Sequence, residues 1–228
     1  MKTTTVKITV IAVLTAACFN VFSQKNGEVF SPDGMEMIYV EGRTGDIFGG
    51  SAMDSFFIGK YPVTQKQWKA VMGSNSGNIT DDNYPVQGVS WDNAKKFIRE
   101  LNKLTNRNYR LPTEAEWQYA AKGGNISKGY QYAGSNDINK VAWYRGNSSG
   151  DAHQVGSKAP NELGIYDMSG NVWEWCQDIY DNDYAFRVLR GGSYHDNYEQ
   201  NCRVEARHRG KPGDNYNNYG FRLVISSF

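Results

Sequence analysis

Cysteine and histidine are both scarce in this sequence, with three residues of each among 228. The cysteines form no Cys-x-x-Cys pattern and the histidines no His-x-x-x-His pattern, so the sequence gives little support to a zinc hydrolase. A Gly-x-Ser-x-Gly nucleophile elbow and a phosphate-binding loop are also missing. Because catalytic triads are recognised by geometry and not by sequence position, an enzyme of another class stays open.

An excess of one charge sign is missing as well, since 25 Lys and Arg residues balance 24 Asp and Glu residues. This balance predicts no attraction to nucleic acid or to an anionic membrane. The one long apolar run, residues 8–22, follows Lys2 and Lys7 and is too short and too early for a spanning helix. It predicts a secretory signal over residues 1–23, cleaved after Ser23.

The predicted signal makes the protein exported, either periplasmic or secreted, without a transmembrane segment after cleavage. The alternative is a lipoprotein anchored through Cys18. A lipobox usually has Leu where this sequence has Thr15, and the residues just after Cys18 are apolar. Both features favour the cleaved signal.

Glycine and aromatic residues are plentiful, with 24 Gly, 15 Tyr and 6 Trp. Such a composition is typical of a loop-rich domain held by aromatic side chains. About 200 residues fit one domain, and no repeat or linker divides them. We therefore predict a polar leader over residues 24–34, one domain over residues 35–228, and a first strand over residues 35–40.

Three short helices are predicted from their first residues. Thr64 with Gln67, and Thr113 with Glu116, have the spacing of a capping box, and a glycine follows each predicted helix. Ser90 begins the longest helix, which has an apolar row at helical spacing (Trp91, Ala94, Ile98, Leu101, Leu104) and a basic face (Lys95, Lys96, Arg99, Lys103). We expect this basic face to be solvated and to carry no site. Strands are predicted at 187–191 and 219–226.

The segment 163–176, LGIYDMSGNVWEWC, combines glycines, two tryptophans and two carboxylates. We expect it to be neither helix nor strand. Asp167 and Glu174 supply oxygen ligands that suit calcium. The alternative is a surface loop pinned by its tryptophans, with solvated carboxylates.

This segment resembles the GxxNxxGNVWEW signature of the formylglycine-generating enzyme family, also called sulfatase-modifying factors. Five further blocks agree with that family in order, namely YPVTQKQW at 61–68, PVQGVSW at 85–91, YRLPTEAEW at 109–117, VLRGGS at 188–193 and GFRLV at 220–224. The resemblance extends from about Met35 to the C-terminus. It implies an α+β, loop-rich fold, an elaborated C-type-lectin-like fold with short helices around small antiparallel sheets.

The family's oxidases resemble one another in a pair of cysteines, five residues apart, that hold copper(I) after the Gly-Gly-Ser block. Here Asp196 stands in place of the first cysteine and Asn201 in place of the second, with Cys202 one position later. The resemblance therefore implies a member without the copper site. If the protein were a formylglycine-generating oxidase, Cys202 would be its candidate catalytic residue.

The resemblance also implies a calcium site near the glycine-rich segment. The matching positions are Asp167 and Glu174 for side-chain ligands, and Gly170 and Val172 for backbone carbonyl ligands. Asp replaces the usual Asn at 167, and the added negative charge suits a hard cation.

After export, Cys176 and Cys202 would be the remaining cysteines. An oxidising compartment would join them in a disulfide if their Cα atoms lay within ~7 Å. The alternative is two separate buried thiols.

Two C-terminal loops are rich in Tyr, Asn and Asp, residues that also fill antibody binding loops. We predict that they form one ligand-facing surface, comprising Tyr194, His195, Asp196, Asn197, Tyr198 and Asn201 in the first loop and Asp214, Asn215, Tyr216, Asn217, Asn218 and Tyr219 in the second. The composition resembles the variable region of lectin-fold proteins diversified by mutagenic retroelements. Polar turns that favour Asn and Asp for backbone reasons are the alternative.

Three functions follow from these observations. The first, which we favour, is an exported, non-catalytic, calcium-stabilised module that binds a protein or a glycan through its C-terminal loops. The second is a formylglycine-generating oxidase that converts a sulfatase cysteine to formylglycine, and the third is a structural component of the cell envelope.

Overall fold

A computed structural model describes residues 34–45, 52–77 and 81–226, together with the backbone of two short strands before them. In these residues the chain forms two β-sheets, four α-helices and two short 3-10 helices. The predicted signal, residues 1–23, lies outside the described residues.

The first sheet has six strands, all antiparallel, in the order β1-β2-β3-β4-β10-β5. These strands are β1 (Gln24–Lys25), β2 (Glu28–Phe30), β3 (Glu36–Val40), β4 (Phe56–Gly59), β5 (Tyr109–Arg110) and β10 (Val224–Ser226). The strand predicted over residues 35–40 is present as β3. It is not the first strand, because β1 and β2 occupy part of the segment that we predicted to be a polar leader.

The second sheet has four strands in the order β8-β7-β6-β9, with only β6 and β9 parallel. They are β6 (Trp173–Tyr180), β7 (Asp183–Arg190), β8 (Arg207–Gly210) and β9 (Tyr219–Gly220). The expectation that residues 173–176 are not a strand is wrong. All four of these side chains are buried, so the alternation that marks a half-exposed strand is absent from the sequence.

The strand predicted over residues 219–226 is divided between the two sheets. Tyr219 and Gly220 form β9 in the second sheet, whereas residues 224–226 form β10 in the first. Residues 221–223 between them are buried and cross from one sheet to the other. A continuous run of β-branched and aromatic residues cannot show where a chain leaves one sheet for another, because burial is the same throughout.

Three of the four α-helices begin where the sequence predicts, and α4 and the two 3-10 helices were not predicted. They are α1 (Gln65–Met72), α2 (Trp91–Thr105), α3 (Glu114–Ala121) and α4 (Ile138–Val141), with 3-10 helices at Gly124–Ile126 and Glu199–Cys202. Both predicted capping boxes are formed, and Ser90 caps α2. Leu104, however, is 69% exposed, so the apolar row of α2 ends at Leu101. None of the described helices has the length and apolar character that crossing a bilayer requires.

The second sheet lies between two hydrophobic clusters. Trp175 and Leu189 belong to the cluster that contains residues of α1 and α2, whereas Cys176 and Val188 belong to the cluster that contains residues of α3. The first sheet supplies side chains to both clusters. Successive residues of β6 and β7 therefore face opposite clusters, as the two-residue period of a strand requires. A third, small cluster packs α4 against Cys202.

Candidate functional site

Glu174, at the start of β6, forms a buried ion pair with Arg222 of the segment that joins the two sheets. The Arg222 guanidinium donates from Nε to Oε2 at 2.6 Å and from Nη2 to Oε1 at 2.7 Å, and both side chains are fully buried. Trp117 Nε1 donates a third hydrogen bond to Oε2 at 2.7 Å. Arg222 also donates to the carbonyl oxygens of Gly59 and Tyr166, each at 2.9 Å. The pair thus ties β6 to α3 and to the first sheet.

Asp167 is the second buried carboxylate of this region, and fewer donors surround its negative charge than surround that of Glu174. Its Oδ2 accepts a hydrogen bond from the Gly156 backbone at 2.8 Å. Burial raises the pKa of Asp167 from 3.8 to about 6, against the opposing effects of the Gly156 hydrogen bond and the Arg222 charge. The charge of Glu174 raises this pKa further, so the two carboxylates lie close enough to repel each other.

A buried carboxylate with a raised pKa, such as Asp167, is a group whose negative charge a calcium ion would offset. The two predicted backbone ligands are the carbonyl oxygens of Gly170 and Val172. Neither oxygen accepts a hydrogen bond from the described residues. Glu174 is more restricted, because its three donors leave one lone pair for a metal. The described residues bring together no group of three His, Cys, Asp or Glu side chains, so carbonyl oxygens would have to complete the coordination.

The two C-terminal loops meet at one cavity of about 440 Å³. Asn218 Nδ2 of the second loop donates to Ser193 Oγ at 2.9 Å, and Ser193 Oγ donates to Asp196 in the first loop. Six residues from the predicted loops line the cavity, namely His195, Asp196, Asp214, Tyr216, Asn218 and Tyr219. The structure therefore brings together part of the predicted ligand surface.

The other predicted loop residues do not line this cavity. Tyr194 is only 8% exposed and packs edge-on against His195, so it supports the loop from beneath. Asn201 donates to Asp196 and holds that carboxylate in place. Tyr198 is 65% exposed beyond the rim, and the remaining three are also exposed there (Asn197, Asn215, Asn217).

Three residues that line the cavity were missed from the sequence, namely Trp173, His208 and Arg209. Trp173 belongs to the motif segment, but its place beside the loops depends on the parallel pairing of β6 with β9. His208 and Arg209 lie on β8, an edge strand for which we made no prediction. The only sequence feature that could have indicated these two residues is their position between the two predicted loops in the chain.

An aromatic wall runs along the cavity. Trp173 and His208 have ring centroids 5.2 Å apart, and Tyr216 and Tyr219 are also 5.2 Å apart. Burial lowers the pKa of His208, which favours the neutral form of this ring, and burial raises the pKa of Tyr219 to about 12. Asp196, Asp214 and Arg209 supply charged groups at the same cavity. An aromatic wall beside polar groups suits a ligand with one apolar and one hydrogen-bonding face.

The predicted disulfide is not formed, because Cys176 and Cys202 are both free and buried. Cys176 packs in the cluster that contains α3, whereas Cys202 packs in the small cluster that contains α4. Burial raises the pKa of both thiols. A copper(I) site of two thiolates does not fit these positions, since Cys202 is fully buried beside α4.

Solved structures of similar proteins agree with this fold. Treponema denticola variable protein 1 has a TM-score of 0.72 and 28% identity, over 85% of this chain and 95% of that chain. The crystal structure of CarF has a TM-score of 0.73 and 26% identity, over 86% of this chain and 100% of that chain. The expected fold class is therefore confirmed.

Curated proteins give the same assignment. The formylglycine-generating enzyme of Streptomyces coelicolor is 33% identical over 92% of this chain and 75% of its own length. The chaperone protein LppX of Paenibacillus barcinonensis is 36% identical over 62% of this chain and 70% of its own length. The inactive C-alpha-formylglycine-generating enzyme 2 of Bos taurus is 32% identical over 72% of this chain and 57% of its own length.

The family model for the sulfatase-modifying factor enzyme 1-like domain matches residues 50–227. This range contains the whole second sheet, strands β4, β5 and β10 of the first sheet, the Glu174–Arg222 pair and the cavity between the C-terminal loops. The chain therefore belongs to the formylglycine-generating enzyme, or sulfatase-modifying factor, family.

Proposed function

We propose that this protein is an exported, non-catalytic member of its family that binds a protein or a glycan at the cavity between its C-terminal loops. The observation that carries the proposal is that both loops, joined by the Asn218–Ser193 hydrogen bond, line one cavity of about 440 Å³. The aromatic wall gives a ligand contact area, while the polar groups of the loops supply hydrogen bonds. One similar structure is that of a protein named as variable, which is compatible with a loop surface whose sequence differs between copies.

The binding test uses purified protein on a glycan array and in capture from an envelope fraction. Tyr216→Ala removes an exposed ring that lines the cavity, so it should abolish binding while changing the melting temperature by only a few degrees. Tyr184→Ala is the matched control, since Tyr184 is 78% exposed on β7 and lies outside the cavity. Equal binding by both variants would place the ligand surface elsewhere.

The non-catalytic part of the proposal rests on the loop that follows Gly-Gly-Ser. It has one cysteine, and Cys202 is buried with a raised pKa, so it offers no thiolate to copper. One similar protein is itself named an inactive enzyme. We expect no aldehyde when the protein is incubated with copper(I) and a Cys-x-Pro-x-Arg peptide.

The formylglycine-generating oxidase is the second candidate, favoured by the 33% identity to a protein of that name over 92% of this chain. Turnover of the peptide to formylglycine, lost in Cys202→Ser, would establish it and overturn the non-catalytic assignment. The two candidates are thus separated by one assay with one variant.

Calcium belongs to the proposal as a structural ion. It would be held by Asp167, Glu174 and the carbonyl oxygens of Gly170 and Val172, where it would neutralise Asp167, the carboxylate that has no ion-pair partner of its own among the described residues. When bound, the ion supplies positive charge and a fixed geometry to the segment before β6. The protein's own side chains hold β6 against α3, through the hydrogen bond from Trp117 to Glu174.

Export is supported by the sequence of residues 1–23. The mature protein recovered from the periplasm or medium should begin at Gln24. A protein that retains residues 1–23, or that carries lipid on Cys18, would contradict cleavage after Ser23.

A further inference from the structure

A basic cluster on the outer part of α2 and β7 lies apart from the cavity. Lys95 and Arg99 are four residues apart, on one side of α2, and Arg187 lies on the face of β7 that also carries Leu189. No residue of this cluster lines the cavity between the C-terminal loops. We expected the basic face of α2 to be solvated, and Lys96, Arg99 and Lys103 are exposed, but Lys95 is half-buried. Arg187 of β7 is half-buried as well.

The ring of Trp91 organises the cluster. Arg187 places its guanidinium carbon 4.6 Å from the ring centroid, and Lys95 places its Nζ 5.5 Å from it. Trp91 Nε1 donates to the Cys176 carbonyl at 3.0 Å, so the ring is fixed to β6. Cation–π contact with a fixed ring holds both cations in defined positions.

The cluster has no anionic partner in the described part of the chain. None of Lys95, Arg99 and Arg187 forms an ion pair there, whereas Lys103 of the same helix pairs with Glu100 at 3.0 Å. Burial lowers the pKa of Lys95, and the charges of Arg99 and Arg187 lower it further. Three like charges in one place destabilise the fold unless an anion offsets them.

Arg187 Nε gives a second and independent indication of a ligand. It is buried, and it donates no hydrogen bond to any described residue. A buried donor without an acceptor is costly, and native proteins rarely leave one unsatisfied. Arginine commonly donates from Nε and one Nη nitrogen together to two oxygens of one anion.

We propose that Lys95, Arg99 and Arg187 form a binding site for a phosphate or sulfate group, with the ring of Trp91 as its base. Three positive charges match a tetrahedral dianion better than a monocarboxylate. The planar Arg187 group would contact two of its oxygens, and Lys95 and Arg99 would each contact another. This site is independent of the proposed function, because it uses a different surface.

The test follows the Nε–Hε signal of Arg187 by NMR, assigned with the Arg187→Lys variant. Sodium phosphate, sodium sulfate, sodium acetate and sodium chloride are added separately at constant ionic strength. Phosphate and sulfate should each give a saturable shift of this signal, and acetate and chloride should not. An equal response to all four salts, or no response to any, would overturn the proposal.

Variants that each remove one positive charge distinguish a defined anion-binding site from general electrostatic attraction to a basic surface. Lys95→Gln and Arg99→Gln should each weaken phosphate binding at least about tenfold, since each removes a charge-assisted hydrogen bond. Lys96→Gln removes the same charge from an exposed position of the same helix and should change affinity less than about twofold. If Lys96→Gln weakens binding as much as Lys95→Gln, the cluster is not a site.

Arg187→Lys keeps the charge and the contact with Trp91 but loses the Nε donor. Its phosphate affinity, measured by calorimetry, should fall at least about tenfold while its melting temperature stays near that of the wild type. Unchanged affinity would show that Arg187 is not a ligand-binding residue.

Discussion

The Glu174–Arg222 pair is the least replaceable contact in the described core. Both partners are fully buried, and every strong donor around Glu174 is directed at its two oxygens. Removing one partner leaves the other as an uncompensated charge at a fully buried position. The motif residue Glu174 is therefore a structural residue first, whatever ion lies beside it.

Glu174→Ala should lower the free energy of unfolding by about 3 kcal/mol or more, because Arg222 would lose its counter-charge. Urea unfolding followed by tryptophan fluorescence measures this loss. Glu100→Ala is the control, since Glu100 pairs with the exposed Lys103 and should cost about 0.5 kcal/mol or less. Similar losses for the two variants would contradict the importance of the buried pair.

Asp167 should make stability depend on pH when calcium is chelated. Its pKa is raised from 3.8 to about 6 in the folded state, so folding favours the protonated form. The resulting stability is complete below pH ~4 and is lost as the pH rises through ~6. The shift of about two units corresponds to about 3 kcal/mol, so Asp167→Asn should lose this part of the pH dependence.

The measurement is urea unfolding of both proteins in chelator between pH 4 and pH 7. Asp92→Asn, at an exposed position of α2, should retain the wild-type dependence. Parallel curves for wild type and Asp167→Asn would show that Asp167 is not held in a raised-pKa environment.

The loop that precedes β6 should be ordered by calcium, since Asp167 and Asn171 both have positive φ angles there. Non-glycine residues adopt this conformation at some cost, which a bound ion would offset. Chelation should lower the melting temperature of the wild type, because a ligand that binds only the native state stabilises it. In Asp167→Ala, chelation should have almost no effect, and an equal response in both proteins would exclude the site.

Among the elements, helices were easier to predict than strands. The capping boxes at Thr64 and Thr113 are local, since each depends on residues three positions apart, and both are present. Strand β6 was missed because its first four residues are buried on both faces, and this removes the two-residue alternation. The division of 219–226 into β9 and β10 depends on Arg222, whose partners lie far away in sequence.

The residues of the candidate site, too, were predicted only where a local sequence pattern marked them. His195, Asp196, Tyr216 and Asn218 were predicted from loop composition, which is a local property. Trp173 reaches the cavity through the pairing of β6 with β9, and His208 and Arg209 reach it through the pairing of β8 with β7, which no local pattern specifies. The basic cluster on α2 was predicted to be solvated because Arg187, nearly 90 residues later, was not visible from the helix alone.

The described part of the molecule should unfold as one cooperative unit. The second sheet supplies side chains to both large core clusters, and residues 221–223 connect it to the first sheet, so neither cluster can be exposed without disturbing the other. Far-ultraviolet circular dichroism and tryptophan fluorescence should therefore give coincident urea transitions. Two separated transitions would show that the clusters fold independently.

The position of β10 also affects the timing of folding. Residues 224–226 pair with β4 on one side and with β5 on the other, and so form an interior strand of the first sheet. Until the ribosome has released residue 226, β4 and β5 have no strand to join them. High contact order of this kind slows folding, and it places completion of the first sheet after synthesis of every other strand and helix that the structure describes.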